Sequence, residues 1–436
     1  MNPQMEIQPN NTTRQSRDHL QRSRVVITGL GAITPLGNTV SETWEGLVAG
    51  RSGANRITIV DPTNYPCKVN AELKGFDPER FIPRNKCRRM PMAAQIAVIA
   101  SDQAIEHARL DLASVDRDRV GVIIGTAGGS TMEETERATR QLDNGKGRLT
   151  PFQVLRFWAN MPSFYVSENH GLRGYNSTVC TACAAGTQAI GEAARVIERG
   201  DADIMLTGGT EHLATETVLA GFVAMRAMAT SYNDDPARAM RPFDANREGF
   251  IAGLGCAVLV LERLEHAQAR GAPIYAEVLG SGASNDAFHL IAPDPDGAGA
   301  ALAMKRALDD AGINITDVDY INAHGTSTPA GDVAETKAIK TVFGENAYDI
   351  PVSSSKSMVG HMMGAAGAVE AVACIMTLNE GIIHPTINYE TPDPECDLDY
   401  VPNLARKADV KIALSNSFGL GGQNACVVLG RVNGLG

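Results

Sequence analysis

The stretch YNSTVCTACAAGTQAIG, Tyr175–Gly191, begins as a β-branched run. At Cys183 it changes into small residues that carry a helical pattern to about Arg199 and Gly200. It predicts a buried strand running straight into a helix, with Cys183 at the turn. A thiol at a helix N-terminus feels the positive end of the peptide dipoles, which favours thiolate, and the free N–H groups there can hold a developing oxyanion. Ala182, Ala184, Ala185 and Gly186 leave room for a substrate. Taken alone, the stretch fits a packed structural cysteine equally well, because free Cys is among the most buried residue types.

Working outward, the chain repeats the same order of features. TGLGA (Thr28–Ala32) is echoed by LGSGA (Leu279–Ala283), and AVLVL (Ala257–Leu261) by ACVVL (Ala425–Leu429). The Cys183 helix has its counterpart in GAAGAVEAVACIMTLNEG, Gly364–Gly381. Strands alternating with helices in each half predict a duplicated α/β fold with mostly parallel pairing and helices on both faces. The first half is the longer, its extra residues falling between about 35 and 175, the kind of insertion that forms a cap or a subunit contact. Residues Thr150–Gly174 read as irregular and hold five aromatics, Phe152, Phe157, Trp158, Phe164 and Tyr165. RVVITGLGAITPLG (Arg24–Gly37) resembles the start of a dinucleotide site, yet Thr34 stands where the third glycine belongs and no acidic residue follows a second strand.

Composition narrows the function classes. At 436 residues the chain is long enough for roughly three domains or for two large fused halves, and 43 glycines exceed the usual level of about 7% and fit a fold with close backbone contacts. The net charge of −11 argues against non-specific nucleic-acid or anionic-membrane binding, although a local basic patch such as Lys86, Arg88 and Arg89 can still receive an acidic partner. No apolar run approaches the roughly 18 residues of a membrane span. Eight scattered cysteines and a polar N-terminus without an apolar h-region point to a reduced, cytoplasmic setting. Residues 1–23 read as a disordered leader.

Cys180 and Cys183 form C-x-x-C, but neither a second such pair nor H-x3-5-H follows, so no metal site is expected and Cys180 is read as packing. The polar partners lie downstream, in NAHGTSTPAGD (Asn322–Asp332) and SSSKSMVGHMMGAAGAVE (Ser353–Glu370). Both follow short apolar runs, which puts His324 and His361 at strand ends, where α/β folds gather ligands. Lys356 and Glu370 can meet around one turn. A last turn, NSFGLGG (Asn416–Gly422), brings backbone N–H groups near any site between the halves.

Through TACAAG, NAHGTSTPAGD, SSSKSMVGHMMGAAGAVE and NSFGLGG, taken in order, the chain resembles the β-ketoacyl-[acyl-carrier-protein] synthases of the type II condensing-enzyme group, within the thiolase-like superfamily. The similarity runs from about Arg24 to Val432. It implies a thiolase-like fold of two duplicated βαβαβαββ halves in a five-layered αβαβα core. Residues 24–270 would form the first half with a cap and dimerisation insertion, and residues 271–436 the second. It also implies a homodimer and a Cys-His-His site at the junction of the halves, where related initiating synthases and chalcone synthases use Cys-His-Asn and thiolases a second cysteine.

The implied reaction is decarboxylative condensation of an acyl group on Cys183 with malonyl-carrier protein, without a cofactor, both groups riding on phosphopantetheine. By the same resemblance His324 and His361 serve the malonyl step, Lys356 is held by Glu370, and the N–H groups of Cys183 and Phe418 bind the oxyanion. Phe418 gates the second substrate, Thr326 and Thr328 contact pantetheine, and Lys86, Arg88, Arg89 and Arg226 are candidate carrier-docking residues. Leu420 departs from the usual second Phe, while Gln153, Phe157 and Trp158 stand near the family's acyl tunnel and dimer seam. The alternatives are a ketosynthase subunit of an iterative polyketide system and, in other classes, a non-catalytic carrier-binding partner or a metal-binding regulator.

Overall fold

The computed structural model describes residues 22–145, 148–213 and 215–432, so most of the expected leader lies outside it. The first half of the chain supplies β1 (Val25–Ile33), β2 (Val120–Gly125), β3 (Asn176–Val179), β4 (Ile204–Glu211) and β5 (Gly255–Arg263). The second supplies β6 (Ala276–Asn285), β7 (Tyr320–Asn322), β8 (Val352–Ser353), β9 (Ile412–Gly419) and β10 (Gln423–Gly430). They form one 10-stranded sheet in the order β3-β2-β4-β5-β1-β6-β10-β9-β7-β8. Within each half the order is therefore the same: third, second, fourth, fifth, first. The halves join edge to edge where Val25–Ile27 of β1 pair antiparallel with Ala276–Val278 of β6.

Parallel pairing is confined to the flanks, β2 with β3 and β4, and β7 with β8 and β9. The central pairings from β4–β5 to β10–β9 are antiparallel, which corrects the expectation of mostly parallel pairing. The cause is local: Gly421 (φ +85°) and Gly422 (φ +76°) turn the chain straight back from β9 into β10. The first half makes the same reversal through residues 212–254, an excursion beyond the insertion expected between 35 and 175.

Strand residues alternate between two buried faces, which is why these strands read as continuous apolar runs. Val122, Ile124, Leu206, Val258 and Val260 face an outer cluster with the helices Met92–His107 (α1) and Met161–His170 (α2). Ile123, Met205, Leu259 and Leu261 face inward, onto the helices Ala185–Glu198 (α3) and Ala366–Glu380 (α6). Ala413, Val427 and Leu429 reach the same inner layer from the second half. There Ile321, Leu414 and Val428 face outward, onto the helices Ala298–Ala311 (α4) and Pro329–Phe343 (α5). The five layers thus share one central pair of helices, α3 and α6, whose N-termini meet at the junction. Helix α2 lies inside the stretch expected to be irregular; it opens with Pro162 in its first turn, and its apolar residues follow no single stripe.

The glycines that resembled a nucleotide loop have a packing cause. A Cβ on Gly31 would lie 2.0 Å from the Ala100 carbonyl oxygen of α1, and one on Gly282 would lie 2.2 Å from the Ala303 carbonyl oxygen of α4. Each half presses its first strand against its outer helix at the echoed TGLGA and LGSGA motifs. Gly31→Val is expected to lower the unfolding free energy by about 3 kcal/mol or more, because neither backbone can give way. Guanidinium unfolding checks this, and an unchanged midpoint would contradict the close-approach account.

Candidate active site

Ala182 (φ +48°) and Met363 (φ +46°) adopt left-handed backbone that costs a non-glycine residue about 1 kcal/mol or more. Each opens a tight 3-10 turn, Ala182–Ala184 and Met363–Ala365, that runs directly into α3 and α6. Cys183 and Gly364 are the middle residues of these matching elbows. The elbows abut: Cys183 Sγ lies 3.9 Å from Met363 Sδ, and a Cβ on Gly364 would lie 2.3 Å from Ala127 N. The NSFGLGG turn closes over the nucleophile, since a Cβ on Gly419 would come within 3.2 Å of Cys183 N.

His361 Nε2 lies 3.1 Å from Cys183 Sγ. Its Nδ1 accepts the Met363 N–H at 3.3 Å, so the ring proton sits on Nε2 and points at sulfur. His361 stands beyond the short helix Lys356–Val359 rather than at the end of β8. It is held by the first half: its N–H donates to Ile251 O at 2.8 Å, and Gly253 N donates to His361 O at 2.8 Å. His324 does follow its strand, β7, and its ring lies 5.4 Å from that of His361 at 83°. Its backbone is fixed by Glu335, which accepts the N–H groups of His324 (2.8 Å) and Gly325 (2.7 Å). Asn416 Nδ2 donates to the same carboxylate at 3.2 Å.

Lys356 and Glu370 form an ion pair with side chains 0% and 1% exposed. Burial, followed by the Lys356 charge, holds both His324 and His361 well below the ordinary histidine range. Both rings are therefore neutral at physiological pH. Burial also pushes the Cys183 thiol up to about 11; the backbone N–H of Leu420, the Lys356 charge and its own N–H oppose that rise without cancelling it. The expected thiolate at a helix N-terminus is thus overridden by desolvation in the resting enzyme.

Cys183, His324, His361, Thr326, Thr328 and Phe418 line one cavity of about 330 Å³. The Phe418 ring lies 5.6 Å from His324, and Leu420 lines the same cavity. Thr326 and Thr328 share a hydroxyl contact of 3.0 Å, and Thr328 also caps α5 by accepting the Gly331 N–H. Arg226 lines the same cavity and is exposed. Arg88 and Arg89 are exposed elsewhere, with Arg89 over the Phe152 ring at 5.1 Å, while Lys86 is engaged by Glu168 at 2.8 Å. Cys180 is exposed and Gln153 is buried on Glu134. Glu335, the Leu420 N–H and Phe250, whose ring stands edge-on to His361 at 5.3 Å, escaped sequence reasoning; Glu335 lies eleven residues from His324, at a spacing that matches no motif.

Comparison with known proteins agrees with this geometry. The family described as "Beta-ketoacyl synthase, N-terminal domain" matches residues 22–267, and "Beta-ketoacyl synthase, C-terminal domain" matches residues 275–390. A relative from Synechocystis sp. named 3-oxoacyl-[acyl-carrier-protein] synthase 2 is 49% identical, covering 93% of this chain and 97% of its own. The solved ishigamide ketosynthase/chain length factor superposes with a TM-score of 0.88 at 38% identity, covering 94% of this chain and 100% of that one. A type II polyketide acyl-carrier protein in complex with its ketosynthase bound to the hexaketide gives 0.87 at 35% identity, with the same coverage.

With the thiol titrating near 11, alkylation of Cys183 by iodoacetamide is expected to accelerate about tenfold per pH unit between pH 7 and 9, as the thiolate fraction grows. Peptide mass spectrometry follows it, and a plateau below pH 8 would contradict the desolvated thiol.

Proposed function

The chain belongs to the β-ketoacyl synthase family, and from that premise we infer how its residues carry out the reaction. The fold is thiolase-like, and the enzyme condenses an acyl group with malonyl-carrier protein in fatty-acid elongation, releasing CO2 and free carrier protein. No cofactor takes part. The observation that carries the assignment of roles is the His361 Nε2–H directed at Cys183 Sγ from 3.1 Å, with neutral His324 beside it in the same cavity.

Cys183 sulfur attacks the acyl thioester, and the backbone N–H groups of Cys183 and Phe418 hold the tetrahedral oxyanion. As the carbon–sulfur bond to phosphopantetheine breaks, the leaving thiolate takes the proton that Cys183 gave up, so no net acid or base is consumed. Malonyl-carrier then enters past Phe418, its pantetheine amides bonding Thr326 and Thr328. The carbon–carbon bond to the carboxylate breaks, CO2 leaves, and the electron pair becomes an enolate whose oxygen accepts from His324 and His361. Neutral donors suit this step, because they stabilise the oxyanion without first protonating the carbon that must attack. That carbon attacks the acyl group, and the Cys183 thiolate leaves toward the Leu420 N–H and the Lys356 charge. Glu370 holds Lys356 in place.

Carrier protein docks at the cavity mouth, with Arg226 beside the opening and Arg88, Arg89 and Lys86 as further cationic contacts for an acidic partner. A homodimer is supported by β3, an edge strand that among the described residues pairs with β2 alone, and by exposed Tyr175 just before it and exposed Phe164 on α2, which packs against it. A cytoplasmic setting fits eight free cysteines. No helix among the described residues is long and apolar enough to cross a membrane. The polyketide reading has weaker support: the type II polyketide ketosynthase is 35% identical, against 49% for the 3-oxoacyl-[acyl-carrier-protein] synthase 2 relative.

Incubation of Cys183→Ala with acyl-carrier protein is expected to give no acyl-enzyme by intact mass, while Cys180→Ala acylates normally; acylation of the former would sink the assignment. His324→Ala and His361→Ala are expected to slow CO2 release from malonyl-carrier by about 100-fold or more, as removal of an oxyanion donor does elsewhere. Normal CO2 release from both variants would require their roles to be rewritten.

A further inference from the structure

Glu211 is the last residue of β4 and is fully buried, yet the condensation chemistry does not use it. One of its oxygens accepts the Ala127 N–H at 2.6 Å and the Gly364 N–H at 3.1 Å; the other accepts from the Thr126 hydroxyl at 3.2 Å. Ala127 belongs to the turn after β2 in the first half, and Gly364 is the centre of the second half's elbow. A single carboxylate therefore ties the two halves together directly beneath the nucleophile. Burial pushes this carboxyl up to about 7 against those hydrogen bonds, a cost that a purely apolar contact would avoid.

The duplication explains what the group is doing there. Strand four of the second half, β9, ends at Gly419, which presses on the N–H of Cys183 in the first half's elbow. Strand four of the first half, β4, ends at Glu211, which binds the N–H of Gly364 in the second half's elbow. At Cys183 the elbow N–H is left for a substrate oxygen. At Gly364 the matching N–H is filled by a resident carboxylate. Met363, the residue before Gly364 in the same turn, donates its N–H to His361 Nδ1 and so leaves the proton on Nε2, facing Cys183.

We propose that Glu211 is a positioning residue for the His361–Cys183 pair: its carboxylate occupies the second elbow's anion site and locks the turn that selects the His361 tautomer. This rests on the role given to His361 above. Glu211→Leu keeps roughly the volume but accepts no hydrogen bond, so the Ala127 and Gly364 N–H groups lose their shared partner, whereas a glutamine there can keep its amide oxygen on both and donate to the Thr126 hydroxyl.

The test compares wild type, Glu211→Leu and Thr126→Val, which removes only the hydroxyl bond. It reads malonyl-carrier decarboxylation, thermal melting, and the long-range 1H–15N histidine spectrum, with His361 assigned by difference against His361→Asn. Glu211→Leu is expected to lower kcat on the order of 10- to 100-fold with KM unchanged, as loss of an orienting partner does. Its His361 signals are expected to move from the pure Nε2–H pattern toward a tautomer mixture. Thr126→Val shifts both in the same direction by less, and carries the test if Glu211→Leu fails to melt cooperatively. Wild-type kcat and a wild-type His361 tautomer in a folded Glu211→Leu protein would overturn this inference alone. A wild-type His361 protonated on Nδ1 would overturn the reading it rests on.

Discussion

The contact between His361 Nε2 and Cys183 Sγ spans 178 positions of sequence and 3.1 Å of space. It exists only because two copies of one topology meet edge to edge at β1 and β6 and direct their central helices, α3 and α6, at the same point. Every tight approach around it serves that meeting. Gly364 has no space for a side chain against Ala127, Gly419 none against Cys183 N, and residues 251–253 of the first half hold the backbone of His361. Duplication supplies two elbows, one holding Cys183 and the other the Met363 N–H that bonds His361.

Burial then decides the electrostatics. A helix N-terminus alone favours a thiolate, but around Cys183 desolvation is the larger effect, and the thiol is pushed up rather than down. The same burial, reinforced by the Lys356 charge, keeps His324 and His361 neutral. A buried ion pair such as Lys356–Glu370 adds little to stability once both groups are desolvated. In the proposed mechanism its value lies in a fixed positive charge that keeps the two histidines neutral and eases the departure of the cysteine thiolate.

Much of this was legible from residues. The switch from β-branched to small residues at Cys183 marks the elbow, and the echo of TGLGA in LGSGA marks the duplication, because close strand–helix approach admits only glycine at Gly31 and Gly282. The pairing direction was not legible. Strand alternation with helices does not distinguish a parallel flank from an antiparallel centre, and the reversal of β9 into β10 rests on two glycines that read equally well as a substrate loop. Glu335 and Glu211 were invisible for another reason: each acts on backbone N–H groups, at a sequence distance set by tertiary structure, and no local pattern encodes it. The thiol's protonation was misjudged because burial depth is a property of the assembled junction.

In the proposed mechanism Cys183 holds one acyl group while the two histidines generate the carbanion that removes it. A single-turnover condensation tests it most directly. The enzyme is acylated with one equivalent, the donor carrier is removed, malonyl-carrier is added, and acyl-Cys183, CO2 and 3-oxoacyl-carrier are quantified in the same samples. The account predicts that one CO2 and one 3-oxoacyl-carrier appear for each acyl-cysteine lost. Formation of 3-oxoacyl-carrier while acyl-Cys183 persists, or loss of acyl-Cys183 as free acid with none formed, would contradict it.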